Sequence, residues 1–222
     1  MIKLHLGCGL QYLEGYVNID FPPENHTIQK NLKADKFVDI IKLSYPCQSV
    51  DEIRLHHVFE HFSRPVALAL LCRWRDWLKP GGKLKIETPD AIASFKLMTS
   101  RRISFDCKQQ VMRHLFGSHE ASWAVHCDGW YEEKFKINLM QLGFNNLKFE
   151  KNKHGMCRNI EVTAFKMEKN CNFNDYSMSV QKLLQMNTIR LNDNNKDAPV
   201  GSELDMLNVW MAIWKKAYEY KV

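Results

Sequence analysis

The sequence predicts an α/β fold with a mostly parallel sheet, and three observations indicate it. Apolar stretches of strand length alternate with a stretch of helical periodicity, which is typical of parallel strands joined by crossovers. The opening stretch, "IKLHLGCG", runs straight into glycines, as a strand does before a tight turn. The stretch "KPGG" at 79–82 separates the end of a helix from the next strand.

The strands are predicted from short apolar runs that end in a turn residue or an acid. The first begins at Ile2, and the others cover 16–20, 36–40, 49–58, 83–89, 145–151 and 158–168. We interpret the last two as a terminal hairpin, so that one terminal strand of the sheet is antiparallel.

The first predicted helix begins at Ser63, which can cap it, with Pro65 in its first turn. Leu70, Leu71, Trp74, Trp77 and Leu78 then recur at helical spacing until "KPGG" stops the helix. A second helix covers 131–144. Between them, residues 91–128 form an irregular stretch rich in His, Trp and Arg, which we interpret as a lid or substrate insertion.

Composition changes near residue 168 and divides the chain into a domain at 1–168 and a helical extension at 169–222. Polar, turn-rich connections there flank helices predicted at 179–191 and 202–220. The last helix has a candidate capping box, Ser202 with Asp205, and an apolar stripe. We expect the stripe to pack on the sheet; pairing of two subunits or binding of a protein partner are the alternatives.

The hydropathy, cysteine content and net charge of the sequence limit the classes of protein to which it can belong. The longest apolar run is 66–72, far short of the ~20 residues of a membrane span, and no signal peptide is recognised. Seven scattered cysteines without a C-x-x-C pair favour reduced thiols and a cytoplasmic location. The net charge of +6 comes without a basic stripe, so no nucleic-acid partner is expected.

Two glycines and two acids mark a candidate ligand site. Gly7 and Gly9 follow the first strand, at the sheet edge where open α/β sheets bind ligands. Asp20 ends the second strand, and Asp39 ends the third. A carboxylate in such a place can accept both hydroxyls of a ribose.

With these residues the chain resembles the class I S-adenosylmethionine-dependent methyltransferases, and in particular the group of small proteins predicted to be such methyltransferases. "LHLGCGLQYLEGYVNID" is similar to their glycine motif and ribose-binding strand, and "WLKPGGKLKIETPD" to their helix, turn and fifth strand. The stretches "VDIIKLSYPCQSVDEIRLHHVFEHF" and "HLFGSHEASWAVHCDGWYEEKFKINLMQLGF" are also similar. The resemblance covers about 1–168. It implies a Rossmann-like fold, S-adenosylmethionine as cofactor and methyl transfer as activity.

The resemblance also implies roles for individual residues. Gly7, Cys8 and Gly9 would lie against the methionine part of the cofactor. Asp20 would hold the ribose, Asp39 and Ile40 would flank the adenine, and His57 would lie near the sulfonium. No metal is part of this predicted site.

This chain departs from the family pattern in three respects. His5 stands where many relatives have an acid, and no third glycine follows Gly9 closely. Asp20 follows Gly9 by only eleven positions, compared with about 20 in the dinucleotide pattern. A parallel crossover normally needs a dozen or more residues. We therefore expect the first helix to be very short or absent.

The motif His57-x-x-Glu60-His61 matches the inverted zincin signature, so a zinc hydrolase is a remote alternative. That activity needs both histidines on one face of a continuous helix and a third ligand. The preceding residues have strand character, and Ser63 starts the next helix only after His61. We expect Glu60 and His61 to brace the loop instead.

The resemblance leaves the acceptor open, and small relatives look like enzymes that tailor sugars of surface polysaccharides. We expect a small-molecule or glycan acceptor, methylated at oxygen. A hydroxyl needs a general base, and the candidates are His57, His119 and His126, the last with Asp128 near it in sequence. The alternative from another class is a degenerate methyltransferase fold that acts as a non-catalytic binding or scaffold protein.

Overall fold

A computed structural model describes residues 1–28, 31–168, 171–189 and 199–220. Its centre is a seven-stranded sheet in the order β3-β2-β1-β4-β5-β7-β6. Among the described strands only β7 runs opposite to the others, because β1 to β5 pair in parallel and both β5 and β6 pair antiparallel with β7. The predicted fold class is confirmed, including the antiparallel final strand. The strands are β1 Lys3–Leu6, β2 Val17–Asp20, β3 Lys36–Phe37, β4 Val50–His56, β5 Leu78–Pro89, β6 Phe144–His154 and β7 Cys157–Lys166.

Six α-helices and three 3₁₀ turns connect or extend the strands in the described parts of the chain. The helices are α1 Arg64–Trp77, α2 Ala91–Met98, α3 Phe105–Phe116, α4 Glu132–Gln141, α5 Phe173–Gln185 and α6 Ser202–Tyr218. The 3₁₀ turns are Pro23–Asn25, Ile40–Lys42 and Phe59–His61. None of these described helices has the length and apolar character that a membrane span requires.

The crossover from β1 to β2 contains no α-helix, as its length predicts. A buried asparagine holds this loop in place of a helix. The side-chain oxygen of Asn18 accepts a hydrogen bond from the backbone N–H of Leu13 at 2.9 Å, and its amide donates to the Leu13 carbonyl at 3.0 Å. Its backbone N–H donates to Asp35 at 2.7 Å. One side chain thus satisfies polar groups that a helix would satisfy internally.

The two faces of the sheet differ in chemistry because side chains alternate along each strand. One face is apolar, and its buried side chains join those of α1 and α4 in one hydrophobic cluster. The other face carries charges that pair across strands: Lys83 lies 2.9 Å from Glu52, and Lys85 lies 2.8 Å from Glu161. The edge strand β6 adds exposed lysines at 148, 151 and 153.

The described part of the C-terminal extension contributes to the same hydrophobic cluster. Trp214 on α6 and Tyr176 on α5 are each about 1% exposed. Asp76, near the end of α1, accepts hydrogen bonds from the hydroxyls of Tyr176 at 2.7 Å and Tyr218 at 3.0 Å. This carboxylate therefore links three helices at one point.

Three details of the predicted secondary structure are wrong. The stretch 91–128 contains two helices, which Asp90 and Ser104 cap by accepting hydrogen bonds from backbone N–H groups. Helix α5 begins at Phe173, within a stretch predicted to be a connection, because Asn172 and Asp175 form a capping box there. Ser202 caps nothing: it is already helical, and Gly201 at φ 57° holds the N-cap position of α6 without a side-chain bond.

Candidate functional site

A cavity of about 1030 Å³ opens at the carboxyl ends of β1, β2 and β4. Pockets for small molecules and cofactors commonly measure about 300–1,000 Å³, so this one lies at the upper end of that range. Its wall includes every residue predicted to bind the cofactor and both predicted catalytic residues: Gly7, Cys8, Gly9, Asp20, Asp39, Ile40, His57 and His126. Residues of the segment 91–128 supply another part of the wall.

The glycine turn is tightly built. Gly7 and Gly9 have φ values of 67° and 55°, a left-handed region that glycine adopts without strain. A Cβ atom on Gly7 would overlap the side chain of Val58, so the close packing also requires glycine. Both Gly7 and Cys8 donate their backbone N–H groups to the Ile19 carbonyl. The turn is therefore locked to β2.

Asp20 lies in the cavity wall, but its carboxylate is largely satisfied by the protein. Oδ2 accepts from the backbone N–H of Gly9 at 2.6 Å. Oδ1 accepts from the N–H of Phe21 at 2.7 Å and lies 3.0 Å from Nε2 of His26. Since a carboxylate oxygen has two lone pairs, one acceptor position on Oδ2 is left for a ligand hydroxyl.

The rest of the predicted cofactor wall has simpler contacts. Oδ1 of Asp39 accepts from the N–H of Ile41 at 2.9 Å and caps the 3₁₀ turn that begins at Ile40. Its second oxygen has lone pairs for a ligand.

Burial, together with the nearby charge of Asp20, raises the pKa of the Cys8 thiol to about 12, so this thiol is protonated and inert at neutral pH.

His57 follows β4 with φ 54°, a left-handed backbone that is uncommon for a residue other than glycine. Its Nδ1 lies 3.1 Å from Oε1 of Glu60, and its Nε2 lies 3.8 Å from Oε1 of Glu87. Burial lowers the pKa of His57, but the hydrogen bond and charge of Glu60 and the charge of Glu87 outweigh it and raise the pKa. Its ring lies edge-on to that of His114.

His126, within the segment 91–128, lines the cavity. Its Nδ1 lies 3.2 Å from the Leu115 carbonyl, and its Nε2 lies 3.9 Å from Oε1 of Glu60. Burial lowers the pKa of His126, so the ring is neutral at neutral pH. The sequence also suggested that Asp128, two positions on, could orient this histidine, and this prediction is wrong. Asp128 instead pairs with Lys134 at 2.7 Å and Arg64 at 3.4 Å.

The third predicted base, His119, lies outside the cavity wall as far as the described residues define it. It is exposed, and its Nε2 lies 2.9 Å from the Phe116 carbonyl. The structure adds residues that the sequence did not single out as cavity residues, namely His26, His61 and His114, and Trp123 also lines the cavity. Trp123 donates its indole N–H to the Asn25 carbonyl at 2.8 Å, which fastens the lid to the loop after β2.

The zincin-like motif does not lie on an α-helix, as the strand pattern predicts. Strand β4 ends at His56, and only the short 3₁₀ turn Phe59–His61 follows. Glu60 is buried beneath His57, and His61 directs Nδ1 at the Trp123 carbonyl 2.9 Å away. His57 and His61 fall into two separate clusters of potential ligands in the described part of the chain. The arrangement of an inverted zincin is absent from these residues.

The strand order and the cavity at the glycine edge are those of the class I S-adenosylmethionine-dependent methyltransferase fold. Searches of models of protein families and of curated proteins found no match. Similar solved structures include a 1,6-didemethyltoxoflavin-N1-methyltransferase from Burkholderia thailandensis, with a TM-score of 0.50 and 13% identity over 75% of this chain and 71% of that chain.

Two further solved structures are similar over the same share of this chain. An S-adenosylmethionine-dependent methyltransferase from Methanosarcina mazei has a TM-score of 0.49 and 15% identity, over 75% of this chain and 92% of that chain. Human N-acetylserotonin methyltransferase has a TM-score of 0.48 and 18% identity, over 75% of this chain and 47% of that chain. The fold assignment uses the likeness to the Burkholderia enzyme, with its TM-score of 0.50, and each acceptor is a property of its own enzyme.

Proposed function

We propose that this protein is an S-adenosylmethionine-dependent methyltransferase that methylates a small-molecule or glycan acceptor at oxygen. One observation carries the proposal: a single cavity of about 1030 Å³ combines the glycine turn, Asp20, Asp39 and His57 at the ligand-binding edge of the sheet. The Rossmann-like fold supports the cofactor, and the volume supports an acceptor beside it. The free thiols of all seven cysteines support a reducing, cytoplasmic location.

The residues present fit the proposed cofactor, with one constraint. Gly7, Cys8 and Gly9 would lie against its methionine part, and Asp39 and Ile40 would flank its adenine. Asp20 would accept one ribose hydroxyl through the remaining lone pair of Oδ2, since three protein groups occupy the others. The bound cofactor supplies a methyl group that its sulfonium has activated.

The proposed role of the chain is to position the acceptor and remove its proton. A neutral His57 that donates through Nδ1 to Glu60 has its lone pair on Nε2, where a hydroxyl proton can be accepted. His57 lines the cavity, as does His126, the second candidate base. Nε2 lies near a carboxylate in both residues, but the hydrogen bond and charge of Glu60 raise the pKa of His57, whereas burial lowers that of His126, and the more basic His57 is therefore the stronger candidate.

A non-catalytic binding protein is the second candidate. The carboxylate of Asp20, most of whose acceptor positions are occupied by protein donors, favours it. If the contacts from Gly9, Phe21 and His26 persist, the ribose has only one acceptor there. For such a protein we propose α6 as the surface for a second copy or a protein partner. Leu204, Val209 and Ile213 are apolar and exposed on that helix.

Calorimetric titration with S-adenosylmethionine and S-adenosylhomocysteine separates the two candidates. We expect binding that Asp20→Asn weakens by about tenfold, equivalent to about 1.4 kcal/mol. Asp51→Asn is the matched control, because Asp51 pairs with Lys79 at 2.8 Å outside the cavity. Absence of binding by the folded wild-type chain would contradict the methyltransferase proposal and support the binding protein. Nucleotide sugars and glycans are the first acceptors to test.

A further inference from the structure

We propose that Glu60, His61 and His126 form a binding site for a divalent transition-metal ion, with Zn²⁺ as the first candidate. One potential ligand atom from each residue lies within 4.8 Å of the other two. Two imidazole nitrogens and one carboxylate oxygen form a donor set that suits Zn²⁺ and related ions. This proposal does not depend on methyl transfer.

The hydrogen bonds of both imidazoles prepare them for a metal ion. Nδ1 of His61 lies 2.9 Å from the Trp123 carbonyl, and Nδ1 of His126 lies 3.2 Å from the Leu115 carbonyl. A carbonyl can only accept, so each Nδ1 carries the proton and each Nε2 keeps its lone pair. Metal-binding histidines in proteins show this arrangement, in which a backbone carbonyl fixes the tautomer and the ring orientation.

Glu60 provides the second, independent observation. Its side chain is almost fully buried, with 1% of the residue exposed. Oε1 accepts from His57, whereas Oε2 has no hydrogen-bond partner among the described residues. A buried charged oxygen without a donor is costly, and a cation at Oε2 would remove that cost. The hydrogen bond from His57 to Oε1 would persist with an ion at Oε2, and Nε2 of His126, 3.9 Å from Oε1, lies beside the same carboxylate.

The neighbouring cluster of His56, His57 and Glu87 lacks this feature. Oε1 of Glu87 already lies 3.3 Å from Nε2 of His56 and accepts from the amide of Asn159 at 3.0 Å. The glutamate of that cluster is therefore satisfied by protein donors, and we assign no ion to it.

The proposed ion would connect the sheet edge to the lid. Glu60 and His61 lie in the 3₁₀ turn after β4, and His126 lies in the lid, where the N–H of Cys127 donates to the Glu60 carbonyl at 2.8 Å. Tetrahedral ligands with bonds of about 2.0–2.1 Å stand roughly 3.3 Å apart. Ligand atoms that now lie within 4.8 Å of one another must therefore approach by up to about 1.5 Å. His61 and His126 line the cavity, so an ion held by them would lie beside it.

Metal titration of the full chain tests the site. After treatment with a chelator, we expect the wild type to bind Zn²⁺ tightly in a calorimeter. Glu60→Gln and His126→Gln should each weaken binding by more than about tenfold. His154→Gln controls for an exposed histidine, and Cys127→Ser controls for the exposed thiol next to His126. Neither control should change the affinity.

Cobalt distinguishes the proposed ligands from adventitious thiolates. The Co²⁺ complex of the wild type should show visible d–d bands without thiolate charge-transfer absorption, and Glu60→Gln should remove the bands. If Glu60→Gln does not fold, His61→Gln and His126→Gln decide the result. Binding that survives these histidine variants, or absence of binding by the folded wild type, would overturn the proposal. Because S-adenosylmethionine is absent from both assays, failure here leaves the proposed methyltransferase untouched.

Discussion

Removal of the Tyr218 hydroxyl is expected to destabilise the protein through the buried carboxylate of Asp76. This hydroxyl donates to Oδ2 of Asp76 at 3.0 Å, while Tyr176 donates to Oδ1. Hydrogen bonds to charged groups contribute about 1.5–3 kcal/mol, so Tyr218→Phe should lower the free energy of unfolding by about 2 kcal/mol at pH 7.5. The melting temperature should fall by about 4–8 °C for a chain of this size.

The loss should depend on pH in a defined direction. Burial raises the pKa of Asp76, and the two tyrosine hydrogen bonds, which favour the ionised form, oppose this shift. Removing one bond raises the folded-state pKa further. The loss in the free energy of unfolding therefore has its full value at a pH where Asp76 is ionised in the folded variant. The loss becomes smaller as pH falls and the carboxyl becomes protonated. Urea unfolding at pH 7.5 and pH 5 measures the difference.

Tyr12→Phe is the matched control for this experiment. Tyr12 donates to the carboxylate of Asp35 at 2.9 Å, which is the same type of bond, but both residues are exposed. Water replaces such a bond, so we expect a change of less than about 0.5 kcal/mol. Equal effects of Tyr218→Phe and Tyr12→Phe would refute the reasoning that burial of Asp76 determines the magnitude.

Three further variants test other features. Gly7→Ala should lower the free energy of unfolding by about 1–3 kcal/mol, because φ is 67° and the new Cβ meets Val58. Adding Val58→Ala should recover only the part of this loss that comes from the steric overlap with Val58. His57→Gln should retain cofactor binding while turnover falls about 10²–10⁴-fold. His119→Gln is the control and should leave turnover unchanged. Equal turnover by the two variants would exclude His57 as the general base. Trp214→Ala should cost about 3–5 kcal/mol because the side chain is buried in the cluster, and a loss below 1 kcal/mol would contradict that packing.

The strands and the glycine turn were predictable because their signals are local. Alternation of apolar residues, the acid at Asp20 and the short interval after Gly9 all lie within a few residues of the feature they determine. Helices α2 and α3 were missed although their caps, Asp90 and Ser104, are readable residue types. Their exposed faces carry aromatic residues such as Phe95 and Phe105, which obscure the helical period.

The contacts within the site were less predictable because they join distant parts of the chain. The approach of His126 to Glu60 depends on how the lid folds over the end of β4. Sequence proximity suggested Asp128 as its partner, but two positions along an irregular segment do not determine which way a side chain points. The protein donors around Asp20 include His26, whose approach depends on the turn after β2.

The charged face of the sheet has a consequence for aggregation. Sheets that stack into fibrils need faces that interdigitate without water between them and edge strands that are free to pair with another chain. Here the pairs of Lys83 with Glu52 and of Lys85 with Glu161 place charges on one face, with both lysines partly exposed, and exposed lysines occupy the β6 edge. Stacking on this face would strip water from several charges at once. Self-association of the folded chain is thereby directed away from the sheet and towards its helical side.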